Sequence, residues 1–423
     1  MNSVNRRGFI SAAVGTAASA ASATFPAAAQ EAATGAKALN LKITGLKTFL
    51  VGAGRDRNFL FCKVYTNQGL VGLGEGTVTS KEATVAQAIM EHERFLVGKD
   101  PTNIELLWQG MFRHPRWRGG PMLNSAISAV EIALWDILGQ ALGVPIYKLL
   151  GGAARTRIRM YVDVGSTPED FLKVKEMGYT AAKTGVIAPL SGDGHLMEPN
   201  RVVREGVRKL QELRKAVGDD FDIGMDAHGR CTTTMAIDLC TRVEDLDLLF
   251  IEEVTQLEDL GELELVRSKT RTHLATGERS FTKWGFADFC SRHLVDYIQA
   301  DVCHAGGILE LKKIGVLCEA YRLNLAPHNP NSRVSTMASL HVNATTPAAT
   351  ILESSLSNVA PGNIPWIDDL FNGEGPVIKN GYADLPTRPG LGMTLNEKMA
   401  AQHPYQPGDQ TPYWFEDGSV ADQ

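Results

Sequence analysis

Six short apolar stretches between residues 221 and 353 each end in an ionisable residue, and these residues are spaced almost equally along the chain. The five intervals between them are 26, 26, 23, 27 and 25 residues. A strand, a helix and two short loops occupy roughly 25 residues, so the spacing predicts a repeated strand–helix unit. The six end residues are Asp226, Glu252, Glu278, Asp301, His328 and Glu353.

The repeat predicts an α/β fold built around a barrel of parallel strands. Two further strands are predicted upstream, at Arg159–Val164 and Tyr179–Lys183, and a long insert, Ile187–Asn200, follows the second. Together these make eight units, as in a modified TIM-type (β/α) barrel, which we assign to residues 151–355. The C-terminal ends of all strands in such a barrel meet at one mouth, where the active site lies. The six end residues are therefore predicted to face one cavity.

The chain has 423 residues, which leaves room for a second domain beside a barrel of roughly 250 residues. Residues 41–75 alternate apolar and polar side chains, which predicts strands, and helical periodicity follows over residues 81–142. We therefore predict an α+β capping domain at residues 30–150. The Gly- and Pro-rich segment 356–423 is predicted to be irregular and to complete the capping domain by packing on it.

Residues 1–29 are typical of an export signal. They contain Arg6 and Arg7 and no acidic residue, continue in an Ala-rich run, and end in the small residues Ala27 and Ala29. This order predicts a twin-arginine signal peptide and a periplasmic or otherwise exported protein, without stable membrane insertion after cleavage. The alternatives are a disordered leader and a membrane anchor, although the run is too rich in Ala, Ser and Gly to span a membrane well.

Charge and cysteine content narrow the classes of ligand. The net charge of −6 disfavours nucleic acid as a partner, because nucleic acid requires a basic surface. The six cysteines include no Cys-x-x-Cys pair, which disfavours a zinc site. We expect buried free thiols rather than disulfides, because the chain is long enough to form a core without cross-links.

Asp226, Glu252 and Glu278 are predicted to bind a metal ion. They end three successive strands, and three carboxylates brought together repel one another unless a cation lies between them. Ligation by oxygen alone favours Mg²⁺, one per subunit, with Mn²⁺ as the alternative, over zinc. Any one of these residues alone could be a salt-bridged or helix-capping carboxylate, but the regular spacing of all three favours the metal site.

Two histidines are predicted to transfer protons. His328 and Asp301 end neighbouring strands, and a carboxylate beside an imidazole raises its basicity, so the pair is a candidate general base. His228 follows Asp226 by two residues and is predicted to project over the same cavity, because side chains at i and i+2 share one face of a strand. The alternatives are a turn histidine at position 328 and a loop histidine at position 228.

The ends of the second and eighth predicted strands complete the candidate site. Glu353 is predicted to donate a hydrogen bond to a developing oxyanion, and Lys183 to contact a substrate carboxylate, with a solvated loop lysine as the alternative. A metal ion facing a general base suits abstraction of a proton α to a carboxylate. If His228 protonates a departing hydroxyl, the reaction is a β-elimination of water.

Ten motifs are distributed along residues 41–400. They are Trp117–Pro121, Glu131–Asp136, Leu149–Gly152, Met225–Arg230, Ile251–Glu253, Thr276–Arg279, Ala300–Ile308, Ala326–Pro330, Leu352–Ser354 and Arg388–Gly392. Together they resemble the enolase superfamily, mandelate racemase subgroup, and its D-galactonate dehydratase-like branch. Mandelate racemases carry Lys-x-Lys in the second strand, where this chain has Lys183-Thr184-Gly185, so the second lysine base is missing.

The resemblance implies a Mg²⁺-dependent carbon–oxygen hydro-lyase that converts a small anionic sugar acid into a 2-keto-3-deoxy acid. It also implies that capping loops, here Gly52–Asn58 and Arg113–Arg118, select the substrate, and we expect a homo-oligomer. Another reaction of the superfamily, such as epimerisation or cycloisomerisation, and a non-catalytic binding protein are the alternatives. The implied roles are metal ligation by Asp226, Glu252 and Glu278, the base at C2 for His328 with Asp301, the acid at the C3 hydroxyl for His228, and a hydrogen bond to the enediolate from Glu353.

Overall fold

The computed structural model describes residues 39–54, 57–189, 196–354, 364, 366–408 and 412–422. The chain divides into two compact units after Asn40, and the predicted signal peptide lies outside the described residues. From Leu41 onward the chain forms one unit, which contains both the capping domain and the barrel.

The capping domain consists of an antiparallel sheet and the helices packed on it. Its strands lie in the order β1–β2–β3, and the central strand β2 is buried along almost its whole length. The strands are Ile43–Gly54 (β1), Arg57–Thr66 (β2) and Val71–Glu75 (β3). The helices are Glu82–Glu91 (α1), Glu93–Leu96 (α2), Ile104–Arg113 (α3), Gly120–Leu142 (α4) and Ile146–Leu149 (α5).

Helix α4 is the core helix of the capping domain. Among the described helices it alone is long and apolar enough to cross a membrane, but most of it is buried inside the protein. Gly72 and Gly74 let β3 lie directly against it, because a Cβ atom there would come within 2.0 Å of Ala133 O and 1.9 Å of Ala129 O. Contact with the sheet therefore accounts for its apolar composition.

Eight parallel strands form the barrel, which confirms the predicted fold class. They pair in the order β11–β10–β9–β8–β7–β5–β4–β12, and a bridge between Leu325 and Ala349 closes the ring between β11 and β12. The strands are Arg157–Asp163 (β4), Ala181–Gly185 (β5), Asp222–Asp226 (β7), Phe250–Glu252 (β8), Leu274–Thr276 (β9), Tyr297–Ile298 (β10), Asn324–Leu325 (β11) and Leu352–Ser354 (β12). Leu196–Met197 (β6) lies in the insert after β5.

Helices alternate with the barrel strands and cover them on the outside. In α7, for example, Val203, Val207 and Leu210 are buried at helical spacing, while charged residues face solvent. Residues 355–363, which follow β12, lie outside the described part of the chain. The helices are Pro168–Glu176 (α6), Pro199–Val217 (α7), Thr233–Arg242 (α8), Leu260–Arg267 (α9), Thr282–Ser291 (α10), Ile308–Tyr321 (α11) and Arg333–Thr345 (α12).

The C-terminal segment contacts both domains. On the capping domain, Leu391 donates its backbone N–H to Asp136 of α4, and Lys63 of β2 pairs with Glu397 at 2.7 Å. On the barrel, Tyr382–Asp384 pairs with the first three residues of β4, which the neighbouring barrel strands leave unpaired. The expectation of an irregular segment is therefore wrong, because the segment contains short strands and a helix, and it contacts the barrel as well as the capping domain. The segment contains Phe371–Gly373 (β13), Ile378–Lys379 (β14), Tyr382–Asp384 (β15), Met393–Leu395 (β16), Glu397–Gln402 (α13), Tyr413–Phe415 (β17) and Val420–Ala421 (β18).

Two buried carboxylates of the capping domain bind the N-termini of barrel helices. Glu131 of α4 accepts hydrogen bonds of 2.7 and 2.9 Å from the first two backbone N–H groups of α11. Glu75, the last residue of β3, accepts bonds of 3.1 and 3.0 Å from the backbone N–H groups of Ser332 and Ser335 at the start of α12. Helix N-termini carry unpaired N–H groups and partial positive charge, so these contacts fix the capping domain on the barrel.

We predict that Glu131→Gln makes the stability of the protein less dependent on pH. Burial raises the pKa of Glu131 from 4.5 to about 8, although its hydrogen bonds act in the opposite direction. The folded state therefore binds more protons than the unfolded state between these values. The contribution of Glu131 to the free energy of unfolding is present below pH 4.5 and is lost as the pH rises to about 8.

Chemical denaturation at pH 5 and pH 8 measures this effect. The free energy of unfolding of the wild type, relative to Glu131→Gln, should fall by roughly 1 kcal/mol or more across that interval. Glu205→Gln is the matched control, because the hydrogen bond from Arg208 holds the pKa of this partly exposed residue below 4.5 and thus outside the interval. Parallel pH profiles for the wild type and Glu131→Gln would contradict the prediction.

Candidate active site

Three carboxylates meet at the C-terminal mouth of the barrel. Asp226 and Glu252 are the last residues of β7 and β8 and are partners in the register of these two strands. Glu278 lies two residues beyond the end of β9. One oxygen of each carboxylate lies within 4.8 Å of the other two. The structure thus brings the three predicted ligands around one small space.

Lys183 lies among these carboxylates and not in a solvated loop. Its Nζ atom is 3.1 Å from Asp226 Oδ2, 2.9 Å from Glu252 Oε2 and 3.1 Å from Glu353 Oε1. Strand β5 continues beyond Lys183, so the side chain projects from the strand into the barrel, and it is 3% exposed. Burial lowers the pKa of Lys183, but the three carboxylates raise it well above its ordinary value. The amine is therefore a fixed positive charge.

Glu252 carries the least compensated charge of the cluster. Burial raises its pKa well above the ordinary value, and Asp226 raises it further, while Lys183 acts in the opposite direction. Within the described part of the chain, Glu252 Oε1 is shielded from solvent and has no hydrogen-bond partner. A hard divalent cation stabilises a buried carboxylate oxygen of this kind. The residues present therefore fit a divalent metal ion.

His328 and Asp301 form a buried pair beside the carboxylate cluster. Each lies three residues beyond its strand, and these loops bring His328 Nδ1 to 2.8 Å from Asp301 Oδ2. His328 Nε2 lies 3.3 Å from Glu278 Oε2. Burial lowers the pKa of His328, but Glu278 and Asp301 raise it well above its ordinary value. The bond at Nδ1 orients the ring so that Nε2 faces the cluster.

A second imidazole, which the sequence reasoning missed, contacts the same carboxylate. His304 Nε2 lies 3.6 Å from Asp301 Oδ2, and its Nδ1 lies 2.9 Å from the hydroxyl of Ser125 on α4. Burial raises the pKa of Asp301, but His304 and His328 lower it below its ordinary value. The position of His304, three residues after Asp301, was the available signal. Through Ser125 and His304, the His328–Asp301 pair is connected to the capping domain.

His228 reaches the cavity through a turn. Strand β7 has ended at Asp226, and His228 has a left-handed φ of 51°, so the prediction of strand alternation is wrong about the path of the chain. Its backbone N–H donates a 2.8 Å bond to Asp226 Oδ1, and its Nε2 lies 3.4 Å from Asp226 Oδ2. Burial lowers the pKa of the imidazole, although Asp226 raises it. The ring therefore lies beside the first predicted ligand.

Glu353 acts as an acceptor in this structure. Its Oε2 accepts a 3.0 Å bond from the backbone N–H of Asn329, and its Oε1 pairs with Lys183. The Asn329 side chain also donates to the backbone carbonyl of Glu353 at 2.8 Å. The carboxyl group is thus fixed in place, and donation to an oxyanion requires that it be protonated.

The two capping loops that were predicted to select the substrate lie in different places. One reaches the loop that follows His328, and the other lines a cavity within the capping domain. Arg57 donates to the Pro330 carbonyl at 3.3 Å, so the β1–β2 hairpin reaches the loop that follows His328. Residues 55 and 56 lie outside the described residues. In the second loop, Arg118 lies over the ring of Phe112 at 5.2 Å, and residues 114–119 line a cavity of about 530 Å³ within the capping domain.

Two protein families match the two domains. Residues 47–151 match the mandelate racemase / muconate lactonizing enzyme N-terminal domain, and residues 169–399 match the enolase C-terminal domain-like family. The chain belongs to the enolase superfamily. Its D-galactonate dehydratase-like branch within the mandelate racemase subgroup, predicted from the motifs, is also confirmed.

Individual relatives agree with this assignment. The D-galactonate dehydratase of Ralstonia pickettii is 35% identical over 389 residues, which are 90% of this chain and 100% of that protein. An enolase from Pantoea ananatis with bound D-gluconate and Mg has a TM-score of 0.83 at 30% identity, covering 91% of this chain and 100% of its own. The 3,6-anhydro-D-galactonate cycloisomerase of Zobellia galactanivorans has a TM-score of 0.77 at 27% identity, covering 86% and 100%. This member of the enolase superfamily is an acid-sugar dehydratase, a hydro-lyase.

We predict that Mg²⁺ stabilises the wild type and that Glu252→Gln removes this effect. The substitution removes a ligand together with the charge that the cation neutralises. A ligand that binds only the folded state at 100 times its Kd adds about 2.7 kcal/mol to the free energy of unfolding. The measurements are metal content after dialysis and thermal unfolding against Mg²⁺ concentration.

Asp296→Asn is the matched control for this experiment. Asp296 pairs with Arg267 and precedes β10, at the opposite end of the barrel from the carboxylate cluster. This variant should be less stable than the wild type but should bind Mg²⁺ with wild-type affinity. Unchanged metal content in Glu252→Gln would exclude Glu252 as a ligand.

Proposed function

We propose that this protein is a Mg²⁺-dependent dehydratase of an aldonic acid or a related sugar acid. It removes the proton α to the substrate carboxylate, eliminates the 3-hydroxyl as water, and yields a 2-keto-3-deoxy acid after tautomerisation. The main support is the arrangement of two imidazoles on different members of one carboxylate cluster. His328 Nε2 lies 3.3 Å from Glu278, and His228 Nε2 lies 3.4 Å from Asp226.

Asp226, Glu252 and Glu278 are the residues that would hold Mg²⁺. When bound, the ion supplies the concentrated positive charge that a dianionic enediolate needs in order to form. Lys183 adds a second, permanent positive charge next to Asp226 and Glu252, at 3.1 and 2.9 Å. We assign this ammonium to the substrate carboxylate, where it favours binding of an anion.

His328 is the general base at C2. Its Nε2 atom accepts the α proton, and Asp301 stabilises the resulting imidazolium through the 2.8 Å contact at Nδ1. The neighbouring carboxylates Glu278 and Asp301 raise the pKa of His328 against the effect of burial, which makes its unprotonated form a stronger base. Asp301 also fixes the tautomer that leaves Nε2 free to act.

His228 is the general acid at the 3-hydroxyl. It donates a proton to the departing oxygen as the C3–O bond breaks, and the electron pair of the enediolate forms the new double bond. The leaving group is then water and not hydroxide, which lowers the barrier. Glu353, when protonated, donates a hydrogen bond to an enediolate oxygen.

Racemisation by two bases is disfavoured at this site. Position 185, where a Lys-x-Lys sequence would place the second lysine, is glycine. A Cβ atom built on Gly185 would lie 3.9 Å from the ring of His228. The imidazole therefore lies where a second base would project, and in our proposal it acts as the acid of an elimination.

The named relatives support a sugar-acid substrate. The relative from Ralstonia pickettii is a D-galactonate dehydratase, and the Pantoea ananatis structure contains D-gluconate. A second candidate function is cycloisomerisation of a sugar acid, because the Zobellia galactanivorans relative is a 3,6-anhydro-D-galactonate cycloisomerase. The two reactions differ in that dehydration releases water, whereas an isomerisation keeps the atomic composition of the substrate.

A screen of aldonic and uronic acids with Mg²⁺ tests the proposal. We expect a 2-keto-3-deoxy acid from at least one substrate, detected by a chemical assay for 2-keto acids and by NMR. His328→Gln should lower kcat by about 10² to 10⁴-fold, because the general base is lost. His293→Gln is the matched control, because this exposed histidine precedes β10 at the opposite end of the barrel from the carboxylate cluster. Isomerisation without loss of water would favour the cycloisomerase alternative, and turnover that survives His328→Gln would exclude this base.

We also propose that the protein is exported in folded form by the twin-arginine pathway. Support comes from the sequence of residues 1–29, with Arg6 and Arg7 before the Ala-rich run. Fractionation of cells expressing the full chain should give a periplasmic protein that mass spectrometry finds shortened at Ala29. A variant with Arg6→Lys and Arg7→Lys should remain cytoplasmic at full length. Full-length wild type confined to the cytoplasm would contradict export.

A further inference from the structure

Two non-glycine residues beside the metal-ligand candidates have a left-handed backbone. His228, two residues after Asp226, has a φ of 51°, and Glu253, next to Glu252, has a φ of 46°. The left-handed region is unfavourable for a residue with a Cβ atom. Such conformations persist where surrounding contacts hold them.

Arg279, the neighbour of Glu278, contacts both loops. Its Nη2 donates a 2.7 Å bond to the backbone carbonyl of His228 and lies 2.6 Å from Glu253 Oε2. Its Nη1 donates a 2.9 Å bond to Gln256 Oε1. One planar guanidinium thus joins the loops that follow β7 and β8 to the loop that follows β9.

Two further hydrogen bonds connect Gly229 to the partners of Arg279. Gln256 Nε2 donates to the Gly229 carbonyl at 3.1 Å, and the Gly229 N–H donates to the Glu253 carbonyl at 2.7 Å. A Cβ atom on Gly229, which has a φ of 69°, would lie 2.7 Å from Gln256 Nε2. The backbone on both sides of the His228 carbonyl is therefore fixed by contacts that converge on Arg279.

We propose that Arg279 is a positioning residue for the protonation of the leaving hydroxyl, because it holds His228 in the left-handed conformation that places its imidazole over the cavity. The inference rests on the proposed function, in which His228 is the acid. Arg279 acts through the His228 carbonyl, and Glu253 fixes the guanidinium that makes this bond.

The two proton transfers should respond differently to a change at Arg279. The base His328 is held by Asp301, with a 2.8 Å contact that does not involve Arg279. Loss of the guanidinium should therefore leave removal of the C2 proton intact while His228 loses its alignment. Without elimination, His328 returns a solvent proton to C2, so the substrate exchanges its α hydrogen in D₂O.

Arg279→Lys is the sharpest test, because it keeps the positive charge beside Glu253 and Glu278. A lysine has a single ammonium and cannot form the planar fork that reaches both Glu253 and the His228 carbonyl. We expect elimination to fall by about 10²-fold, the effect of misplacing a catalytic group by roughly 1 Å. Exchange of the C2 hydrogen should continue, so the ratio of exchange to elimination, followed by NMR in D₂O, should rise.

Three comparison variants keep the test specific. His228→Asn sets the ratio expected when the acid is absent. Arg267→Lys is the matched control, because Arg267 makes a comparable pair with Asp296 and a bond to the Thr272 carbonyl at the opposite end of the barrel. Its ratio should equal that of the wild type. Gln256→Ala removes one partner of Arg279 and should raise the ratio less than Arg279→Lys does.

The outcomes separate this inference from the proposed function. A raised ratio in His228→Asn, with a wild-type ratio in both Arg279→Lys and Gln256→Ala, would overturn the positioning role and leave the dehydratase proposal intact. An unchanged ratio in His228→Asn would overturn the acid role of His228 and the inference with it. Exchange and elimination falling in parallel in Arg279→Lys, or a loss of Mg²⁺ affinity, would assign Arg279 to the metal site instead.

Discussion

The repulsion among carboxylates at the barrel mouth governs the arrangement around it. Asp226, Glu252 and Glu278 converge within 4.8 Å, and a buried cluster of like charges is unstable unless cations compensate it. Lys183 contacts two of the three and Glu353 as well, so one ammonium supplies part of that compensation. The remaining negative charge favours a divalent cation at this site. It also raises the pKa of His328, against the effect of burial.

A second set of buried carboxylates connects the capping domain to this site. Glu131 and Glu75 each bind the N-terminus of a barrel helix, and α12 begins shortly after the His328 loop. Ser125, on the same helix as Glu131, contacts the imidazole of His304, which in turn contacts Asp301. The orientation of His328, the proposed general base, therefore depends in part on contacts with the capping domain. A barrel without its capping domain would retain the three carboxylates but lose part of the support for His328.

The sequence predicted the barrel well because each strand–helix unit has a nearly constant length. Asp226 and Glu252 lie at strand ends as expected, whereas Glu278, Asp301 and His328 lie two or three residues beyond their strands. A hydrophobic pattern does not show at which residue the hydrogen bonds between two neighbouring strands end. The burial of Lys183 was not predictable, because it depends on carboxylates from three other strands, which are far from Lys183 along the sequence. Arg279 was missed for a similar reason: a charged residue beside a ligand has the same local pattern as a solvated one.

Position 185 bears directly on the proposed acid. In the proposed mechanism the acid opposite His328 comes from the loop after β7, where His228 lies, and the neighbouring strand β5 carries glycine at 185. A side chain at 185 would begin 3.9 Å from the His228 ring, so a lysine there would compete with the imidazole for the same space. The turn after Asp226 and the glycine at 185 therefore act together. In the proposed mechanism the loop after β7 supplies an acid in place of a second base from β5, and this arrangement favours elimination over racemisation.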